Sequence, residues 1–480
     1  MFTKHFYRFA GIAGMAILLV ACKSLDAGLV QKQTDTPIPA GYVAQSTDTV
    51  NSATIKWRDY FSDPDLVTLI DSALKNNQEL NITLQEMEIA RNEIMARKGE
   101  FLPFVNVGAG GGVDKVGRYT SKGASEATTE IEPGREMPDP VPDITLAAYA
   151  TWEVDIWHKL RSARDAAMNR YMATSEGKNF LVTNLVAEIA QSYYELLSLD
   201  NQLDLINKNI ELQSNVLEIV RAEKEATRVT ELAVRRFEAQ VLHTKSLQYG
   251  IKQRITETEN RINFLVGRYP QPVKRNSTNF TDLVPDTVYA GLPTQLLQNR
   301  PDVRQAEYQL TASKLDLKVA RACFYPSLRI SAGVGLQSFN PAYLLRAPES
   351  ILFNMLGDLA APLVNRKALK ANYFNSNARQ NQATYNYERT VLMAYVEVAN
   401  QLSNINNLQQ TYELKSQEVA ALNASVDISN NLFASARADY MEVLMTQRDV
   451  LEAQFDLIET KQQQLSATVA IYRALGGGWR

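Results

Sequence analysis

Residues able to do chemistry are few in this chain, and their spacing matches no catalytic or metal-binding motif. The three histidines stand at positions 5, 158 and 243, too scattered to indicate a histidine metal site. The sequence contains no G-x-S-x-G nucleophile elbow and no phosphate-binding P-loop. Glycine triplets at 110–112 and 476–478 lack the spacing of a dinucleotide-binding loop. We therefore expect no enzymatic activity, no metal and no dissociable cofactor.

Cys22 is the residue for which the sequence most clearly predicts a chemical modification. It ends a segment with a basic start, an uncharged stretch at 10–20 and the tetrapeptide Leu-Val-Ala-Cys at 19–22. The first two features are typical of a secretory signal, and the tetrapeptide resembles a bacterial lipobox, whose cysteine thiol receives a diacylglyceryl group. We expect cleavage before Cys22 and an N-acyl and S-diacylglycerol lipid on it, which leaves Cys323 as the free thiol. The alternative is an ordinary signal peptide with a chance cysteine.

The composition excludes several classes of protein. Lys+Arg number 50 against 53 Asp+Glu, so the chain lacks the basic surplus of a nucleic-acid binder. Two cysteines cannot form a disulfide framework. A mean hydropathy of −0.24 alone suggests a soluble protein. Beyond the N-terminal segment no apolar run reaches the length of a transmembrane helix, so any membrane insertion has to use β-strands.

A sequence repeat divides the body of the chain into two similar halves. Residues 79–110 align without gaps with residues 302–333, so that Pro103 falls on Pro326. Each unit starts with a helical pattern and passes through its proline into an alternating strand pattern. We therefore expect an internally duplicated fold.

Long helices are expected after each repeated unit. No proline occurs in residues 143–269, and residues 363–475 contain neither proline nor glycine. A single helix of the second stretch would be about 170 Å long, so we expect each stretch to fold back once. Polar breaks at 228–231 and 438–440 mark the expected turns.

Apolar residues recur at every seventh position in both helical stretches, for example from Val391 to Phe433. Gln248 interrupts the series in the first stretch. In the second stretch, the other core position of the heptad is often polar, for example at Asn423. A sustained heptad predicts supercoiled helices packed along their length. Helices that have one apolar seam and otherwise polar faces can pack side by side around a water-filled interior. An ordinary surface-exposed bundle is the alternative.

Four segments alternate apolar and polar residues over about ten positions, which is typical of transmembrane β-strands. A soluble sheet packed on a core is the alternative reading of this pattern. Polar loops rich in proline and glycine join the segments in pairs, and the longer loop spans 114–142. The four segments are 105–113, 145–155, 328–337 and 351–359.

The strand count predicts an oligomer. Bacterial outer-membrane barrels start at about eight strands, so four strands cannot close. Two chains would give eight strands and a bore filled by side chains. Three chains would give twelve strands and a lumen.

Together these features resemble the TolC-type outer-membrane efflux proteins, in the lipoprotein branch called the NodT or OprM type. The resemblance implies a mainly α fold with membrane β: four strands per chain form a trimeric 12-stranded outer-membrane β-barrel, continued by a long α-helical barrel in the periplasm. Besides the lipobox, the matching segments are WRDYFSDPDL at 57–66 with ALKNN at 73–77, WEVD at 152–155, GLP at 291–293 with RPDV at 300–303, and ALGGGW at 474–479.

The resemblance implies the exit duct of a tripartite efflux pump. Such a duct is a lipid-anchored homotrimer in the bacterial outer membrane and extends into the periplasm. It passively conducts substrates delivered by a periplasmic adaptor and an inner-membrane transporter, here of the RND type, and it needs no nucleic acid. The alternative is a lipid-anchored periplasmic coiled-coil scaffold, which explains the heptads and the lipobox but not the four strands. The substrate is not implied.

The resemblance also implies an organisation of the chain. We expect a signal peptide, a lipidated arm, a first structural repeat, an equatorial linker, a second structural repeat and a short tail. In the same order, their expected ranges are 1–21, 22–60, 61–270, 271–300, 301–475 and 476–480.

A periplasmic gate is implied at the start of the last long helix. Glu442 falls on the first acidic position of such gates, Met445 stands where aspartate is common, Met441 occupies an apolar-ring position and Arg448 matches a frequent arginine. Three copies of Glu442 around a narrow pore would repel one another and attract cations. The alternative is a solvated helix face or a surface ion pair between Glu442 and Arg448.

Overall fold

The structure, a computed structural model, describes most of the chain. None of the helices in the described part has both the length and the apolar character needed to cross a bilayer. The expected signal peptide and Cys22 with its lipid lie outside the described residues. These residues are 32–34, 38–42, 50–278, 280–285, 288–362, 364, 366–435 and 437–480.

The two halves of the chain run through the same series of elements. The first half contains α1 (Trp57–Tyr60), α2 (Pro64–Asn76), α3 (Gln78–Gly99), β1 (Phe104–Asp114), α4 (Ser121–Glu126), β2 (Glu130–Glu132), β3 (Arg135–Glu136), β4 (Val141–Val154), α5 (Lys159–Glu225) and α6 (Glu231–Val266). The second half contains α7 (Leu296–Asn299), α8 (Pro301–Ala322), β5 (Ser327–Ser338), β6 (Ile351–Ala360), α9 (Lys367–Ala434) and α10 (Tyr440–Ala474). Helix, two long strands and two long helices thus occur twice, which confirms the duplication.

Local capping groups start and end the helices. The Asp63 carboxylate accepts hydrogen bonds from the first amides of α2, whose first residue is Pro64. The Thr230 hydroxyl caps α6 in the same way. Helix α6 ends at Val266 and is capped by Gly267, whose φ of 77° suits glycine and where a side chain would meet the Asn76 carbonyl.

The turns predicted in the long helical stretches are confirmed. Helix α5 ends at Glu225 and α6 begins at Glu231, while α9 ends at Ala434 and α10 begins at Tyr440. Each pair therefore forms an antiparallel helical hairpin.

Polar residues that interrupt the heptads bond across these hairpins. The Gln248 amide of α6 donates to Asn207 of α5 over 2.6 Å. The Gln454 amide of α10 donates to Asn423 of α9 over 3.1 Å. Both bonds lie at the surface of their hairpins, so they link the paired helices without burying a polar group.

The four long strands form one antiparallel sheet in the order β1-β4-β5-β6. Its register aligns the apolar side chains of neighbouring strands: Val107 pairs with Ala148, Ala148 with Val334, and Val334 with Phe353. In the adjacent row across the sheet, Asn106 pairs with Tyr149, Tyr149 with Gly333, and Gly333 with Asn354. Because side chains alternate between faces, one face is apolar and the other polar, as the sequence predicts.

The loop at 114–142 is more ordered than its composition suggests. Helix α4 begins where the Thr120 hydroxyl accepts from the Gly123 amide, and β2 pairs with β3 around a turn at Gly134 with a φ of 79°. The prediction of a plain polar loop was therefore incomplete, because these short elements depend on local caps and turns rather than on periodicity.

Two compact units make up the described chain. One contains 89–171 and 308–385 with the described residues before 34, and the other contains 172–307, 386–480 and the described part of 34–88. In the second unit, α2, α5, α6 and α10 bury a shared apolar core. Its fully buried members include Leu66, Ile70, Ile189, Tyr193, Leu196 and Ile262.

Arg300 organises the polar part of the same unit. Its side chain is 7% exposed and makes a two-point contact with Asp302 at 3.0 and 2.7 Å. The same guanidinium donates to Glu397 of α9 at 2.8 Å and to the Ala474 carbonyl at the end of α10 at 2.7 Å. Arg473 reaches the other oxygen of Glu397. One buried cation therefore joins the start of α8 to both helices of the second hairpin.

Replacing Gly335 by alanine should destabilise the sheet. The new Cβ would lie 2.4 Å from both Ala147 Cβ and the Leu146 carbonyl, so the β4–β5 pairing must shift at a cost of about 1–3 kcal/mol. The control is Gly250→Ala on α6, away from the sheet, where a Cβ meets nothing within 4 Å. Thermal unfolding followed by circular dichroism should show a lower midpoint for Gly335→Ala alone; equal midpoints would contradict this account.

Replacing Arg300 by alanine should cost far more stability than replacing Arg473. Loss of Arg300 leaves Asp302 and Glu397 without their buried cation, which we expect to lower the free energy of unfolding by about 3–5 kcal/mol. Arg473 contacts the same Glu397 but is more exposed, so its loss should cost less than about 1 kcal/mol. Urea titrations of both variants measure the difference, and similar losses would count against the role given to Arg300.

Candidate functional site

The four gate residues predicted from the sequence lie in the first turns of α10. Glu442 stands in the first turn, where the helix dipole favours a carboxylate. Its backbone amide donates to the Asp439 carbonyl. Within the described residues no cation forms an ion pair with the Glu442 carboxylate, and the side chain is exposed.

Glu442, Met445 and Arg448 share one exposed side of the helix, because they are spaced three residues apart. Met445 is 47% exposed. On the other side Val443 and Val450 are buried. These three side chains thus lie on a solvent-accessible face of one chain.

The start of α10 is held by the first hairpin. Tyr440 and Leu444 pack against an apolar cluster contributed by α5 and α6. The buried cluster contains Leu217, Val220, Ala233, Val234, Phe237 and Val241. Because these contacts bury one side of α10, they also determine that the Glu442 side stays in water.

Met441 differs from the other three residues. It is half-buried, and its sulfur lies 2.7 Å from the Arg236 guanidinium of α6. Arg236 was missed in the sequence, where it is one of many charged helix residues. Only the neighbouring Phe237, a core residue, could have indicated that this turn of α6 faces α10.

Arg448 pairs with its neighbour Asp449 at 3.2 Å rather than with Glu442. It also stands at the rim of a groove of about 580 Å³ formed by α5, α6 and α10. Ile206, Ile251 and Leu451 form the apolar floor of this groove. The surface ion pair considered as an alternative role for Glu442 is therefore not formed.

Charges alternate around the neighbouring turn between α5 and α6. Lys224 contacts Glu231 at 3.1 Å, and Arg235 bridges Glu231 and Glu238 at 2.9 Å each. The hydrogen bond from Lys224 holds the pKa of the Glu231 carboxyl below its ordinary value. These groups are solvated, so they shape the surface of the turn rather than stabilise the fold.

The polar face of the sheet is a second candidate functional surface. Glu153, Arg329 and Asp358 pair in register across β4, β5 and β6 and therefore lie on one face. This row of alternating charges could not be found in the sequence, since it depends on the register of three strands. A polar face beside an apolar one is what a strand needs to separate water from lipid.

Comparisons with known proteins agree on one family. The outer membrane efflux protein family matches this chain over residues 69–268 and 292–477. The pyoverdine export outer membrane protein OpmQ of Pseudomonas aeruginosa is 27% identical over 468 residues, which cover 97% of this chain and 95% of OpmQ. The cation efflux system protein CusC of Escherichia coli is 25% identical over 448 residues, or 92% of this chain and 94% of CusC.

The fold agrees with the same comparisons. The crystal structure of a membrane protein from Pseudomonas aeruginosa superposes with a TM-score of 0.82, covering 93% of this chain and all of that chain at 23% identity. The predicted TolC-like fold is thus confirmed.

The exposed face of α10 can be tested by thiol labelling. In a Cys323→Ser background, Met445→Cys should react with a maleimide roughly tenfold faster than Val443→Cys, because the first position is exposed and the second is buried. Equal labelling rates in the native protein, with equal rates after denaturation as the reference, would show that the described face is wrong.

Proposed function

The chain belongs to the outer membrane efflux protein family and is an outer-membrane efflux channel, and from this premise we propose how it assembles, opens and is anchored. The observation that carries the function is the family match across both repeats, together with the polar-faced sheet and the two long hairpins. It is the outer-membrane component of a tripartite efflux system. The relatives support a channel and not a periplasmic scaffold.

The proposed assembly is a homotrimer. One chain supplies four strands, and both outer strands of its sheet are exposed. Three chains supply twelve strands, which is enough for a barrel with a lumen, whereas two would give a filled bore. The helical hairpins of three chains then form the periplasmic α-helical barrel, with their polar sides toward water.

The proposed partners are a periplasmic adaptor and an inner-membrane transporter of the RND type. The adaptor would dock on the ends of the hairpins, at the turns between α5 and α6 and between α9 and α10. The charged surface of the first turn gives it a specific electrostatic pattern. Family members are channels and not enzymes, and we propose that this chain likewise performs no chemistry and takes its energy from the transporter.

The proposed anchor is an N-acyl and S-diacylglycerol lipid on Cys22. The sequence before that residue supports it, since a basic start, a short apolar segment and a lipobox occur in order. Three acyl chains would hold the protein firmly, because one chain alone binds a membrane only marginally.

The proposed gate consists of Met441, Glu442, Met445 and Arg448. The exposed side of α10 supports it, since Glu442 and Met445 are free to face a pore. Three Glu442 carboxylates would repel one another in a closed ring and would favour cations in an open one. Opening then requires only that the helix ends move apart.

We propose that cargo is selected outside this chain. One relative is named for pyoverdine export and another for cation efflux, although both match over nearly their whole length. Because relatives named for such different cargo match this chain over nearly their whole length, the channel is expected to conduct passively whatever its inner-membrane transporter delivers.

Planar-bilayer recordings test this function. Glu442→Gln should lower cation conductance roughly tenfold, since it removes three charges from the proposed ring and each charge at about 8 Å in water is worth about 0.5 kcal/mol. Arg448→Gln should raise it, because Asp449 then loses its cation. Glu459→Gln, an exposed change further along α10, is the matched control and should leave conductance unchanged. A wild-type protein that never conducts would contradict the channel, and unchanged currents in both gate variants would contradict the gate.

A further inference from the structure

A cavity of about 490 Å³ lies at the end of the sheet where β1 and β5 begin and β4 ends. Residues at the end of α3, the start of α5 and the end of α8 form its other walls. Because β4 pairs with both β1 and β5, a single chain is enough to form this cavity. Its volume is within the range of pockets that bind small molecules, about 300–1,000 Å³.

The charged groups that line this cavity are not balanced. Three cations line it, namely Arg97, Lys159 and Arg329, but only two carboxylates do so, Glu100 and Glu153. Arg97 contacts Glu100 at 3.0 Å, and Lys159 forms an ion pair with Glu153. Both carboxylates are therefore neutralised, and one positive charge is in excess.

Arg329 carries this excess charge. Its side chain is exposed, and it forms no ion pair with any residue that the structure describes. Two carboxylates stand beside it in register, Glu153 on β4 and Asp358 on β6. Glu153 is paired with Lys159, and Asp358 does not line the cavity. The Arg329 guanidinium therefore has N–H donors for a further anion.

The imbalance comes from one difference between the two sequence repeats. When residues 79–110 are aligned with 302–333, Glu100 falls on Cys323, and both residues line this cavity. A carboxylate at the second position would supply a third negative charge and balance the three cations. A cysteine in its thiol form adds no such charge, so the second repeat leaves Arg329 unmatched.

The remainder of the wall is largely apolar. Phe104 of β1, Leu160 of α5 and Val319 of α8 line it. Phe104 is 55% exposed, so its ring is accessible from outside the chain rather than part of a closed core. Small-molecule sites typically combine apolar walls with a few placed polar groups. A ligand that fits this cavity therefore has an apolar part as well as a negative group.

We propose that this cavity binds a small organic anion, with the negative group on Arg329 and the apolar part against Phe104 and Leu160. Carboxylates, sulfonates and phosphate monoesters share the required chemistry, because each can accept two hydrogen bonds from one guanidinium. The site itself does not depend on the channel. Its position beside the path of cargo does rest on the proposed function, in which the polar face of the sheet borders the lumen.

Cys323 provides a reporter within the cavity. It is half-buried, and its thiol donates to the Val319 carbonyl over 3.4 Å. Because Cys323 and Arg329 line the same cavity, an anion seated on the guanidinium should shield the thiol from a reagent. Mass spectrometry of the Cys323 peptide distinguishes this thiol from Cys22.

Protection of Cys323 from N-ethylmaleimide tests the site in the purified full-length protein. The probe is naphthoate, and we expect it to slow labelling in a saturable way, about fivefold at four times its dissociation constant. Naphthalenemethanol has the same rings without the charge, and inorganic phosphate has the charge without the rings. At the same concentration each should slow labelling by less than about twofold, because each makes only part of the contacts.

Two variants assign the effect to Arg329. Arg329→Gln should abolish protection by naphthoate while the labelling rate without naphthoate stays within about twofold of the wild type, since the cavity keeps its shape. The matched control is Lys314→Gln, which removes an exposed cation of α8 that does not line the cavity and should retain full protection. Both side chains are exposed, so neither change should unfold the protein, which circular dichroism checks.

Failure of the site is distinguishable from failure of the channel. Equal protection in both variants, or equal protection by naphthalenemethanol, would show that Arg329 binds no anion and would overturn the proposal even in a conducting protein. Equal protection by phosphate would overturn the apolar part of the ligand. A Cys323 that reacts only after denaturation would show that the cavity is closed, which also overturns the proposal. Protection that depends on Arg329 in a chain that never conducts would support the site and contradict the channel.

Discussion

Backbone pairing at the edges of the sheet is the constraint on which the rest of the molecule depends. A strand in a bilayer must satisfy its amides and carbonyls with other strands, and four strands leave two edges open. In the proposed trimer, assembly of copies is therefore part of the fold rather than an addition to it. The glycines of β1, where a Cβ would meet no atom of the same chain, and the large exposed side chains of β6 lie on these two outer strands.

The helices follow a different rule, because they lie in water. Each hairpin keeps one apolar seam and places polar residues elsewhere, and Gln248 and Asn423 turn interruptions of the heptad into bonds between helices. Arg300 connects the start of α8 with the second hairpin through one buried cation. The negative mean hydropathy of the chain results from these long wet helices, although the protein works in a membrane.

Much of the fold could be predicted because its signals are local. Proline and glycine placement, the heptads and the alternating strands specify the long elements, and the turns fall where polar breaks interrupt the helices. The shared helix face of residues 442, 445 and 448 follows from helical spacing alone. The contact of Met441 with Arg236 was not, because it joins two helices that are distant in sequence. The choice of Asp449 as the partner of Arg448 likewise depends on side-chain packing.

The sequence by itself determined the element types and the duplication, and its strand count predicted more than one copy, because periodicity and strand count are properties of the chain. Only the tertiary structure decided the register that aligns Glu153, Arg329 and Asp358, and it alone showed at which glycines a Cβ would meet no atom of the same chain. It also decided which side of α10 is buried by the first hairpin. The physical reason is that these features depend on distances between segments far apart in sequence, which no local pattern encodes.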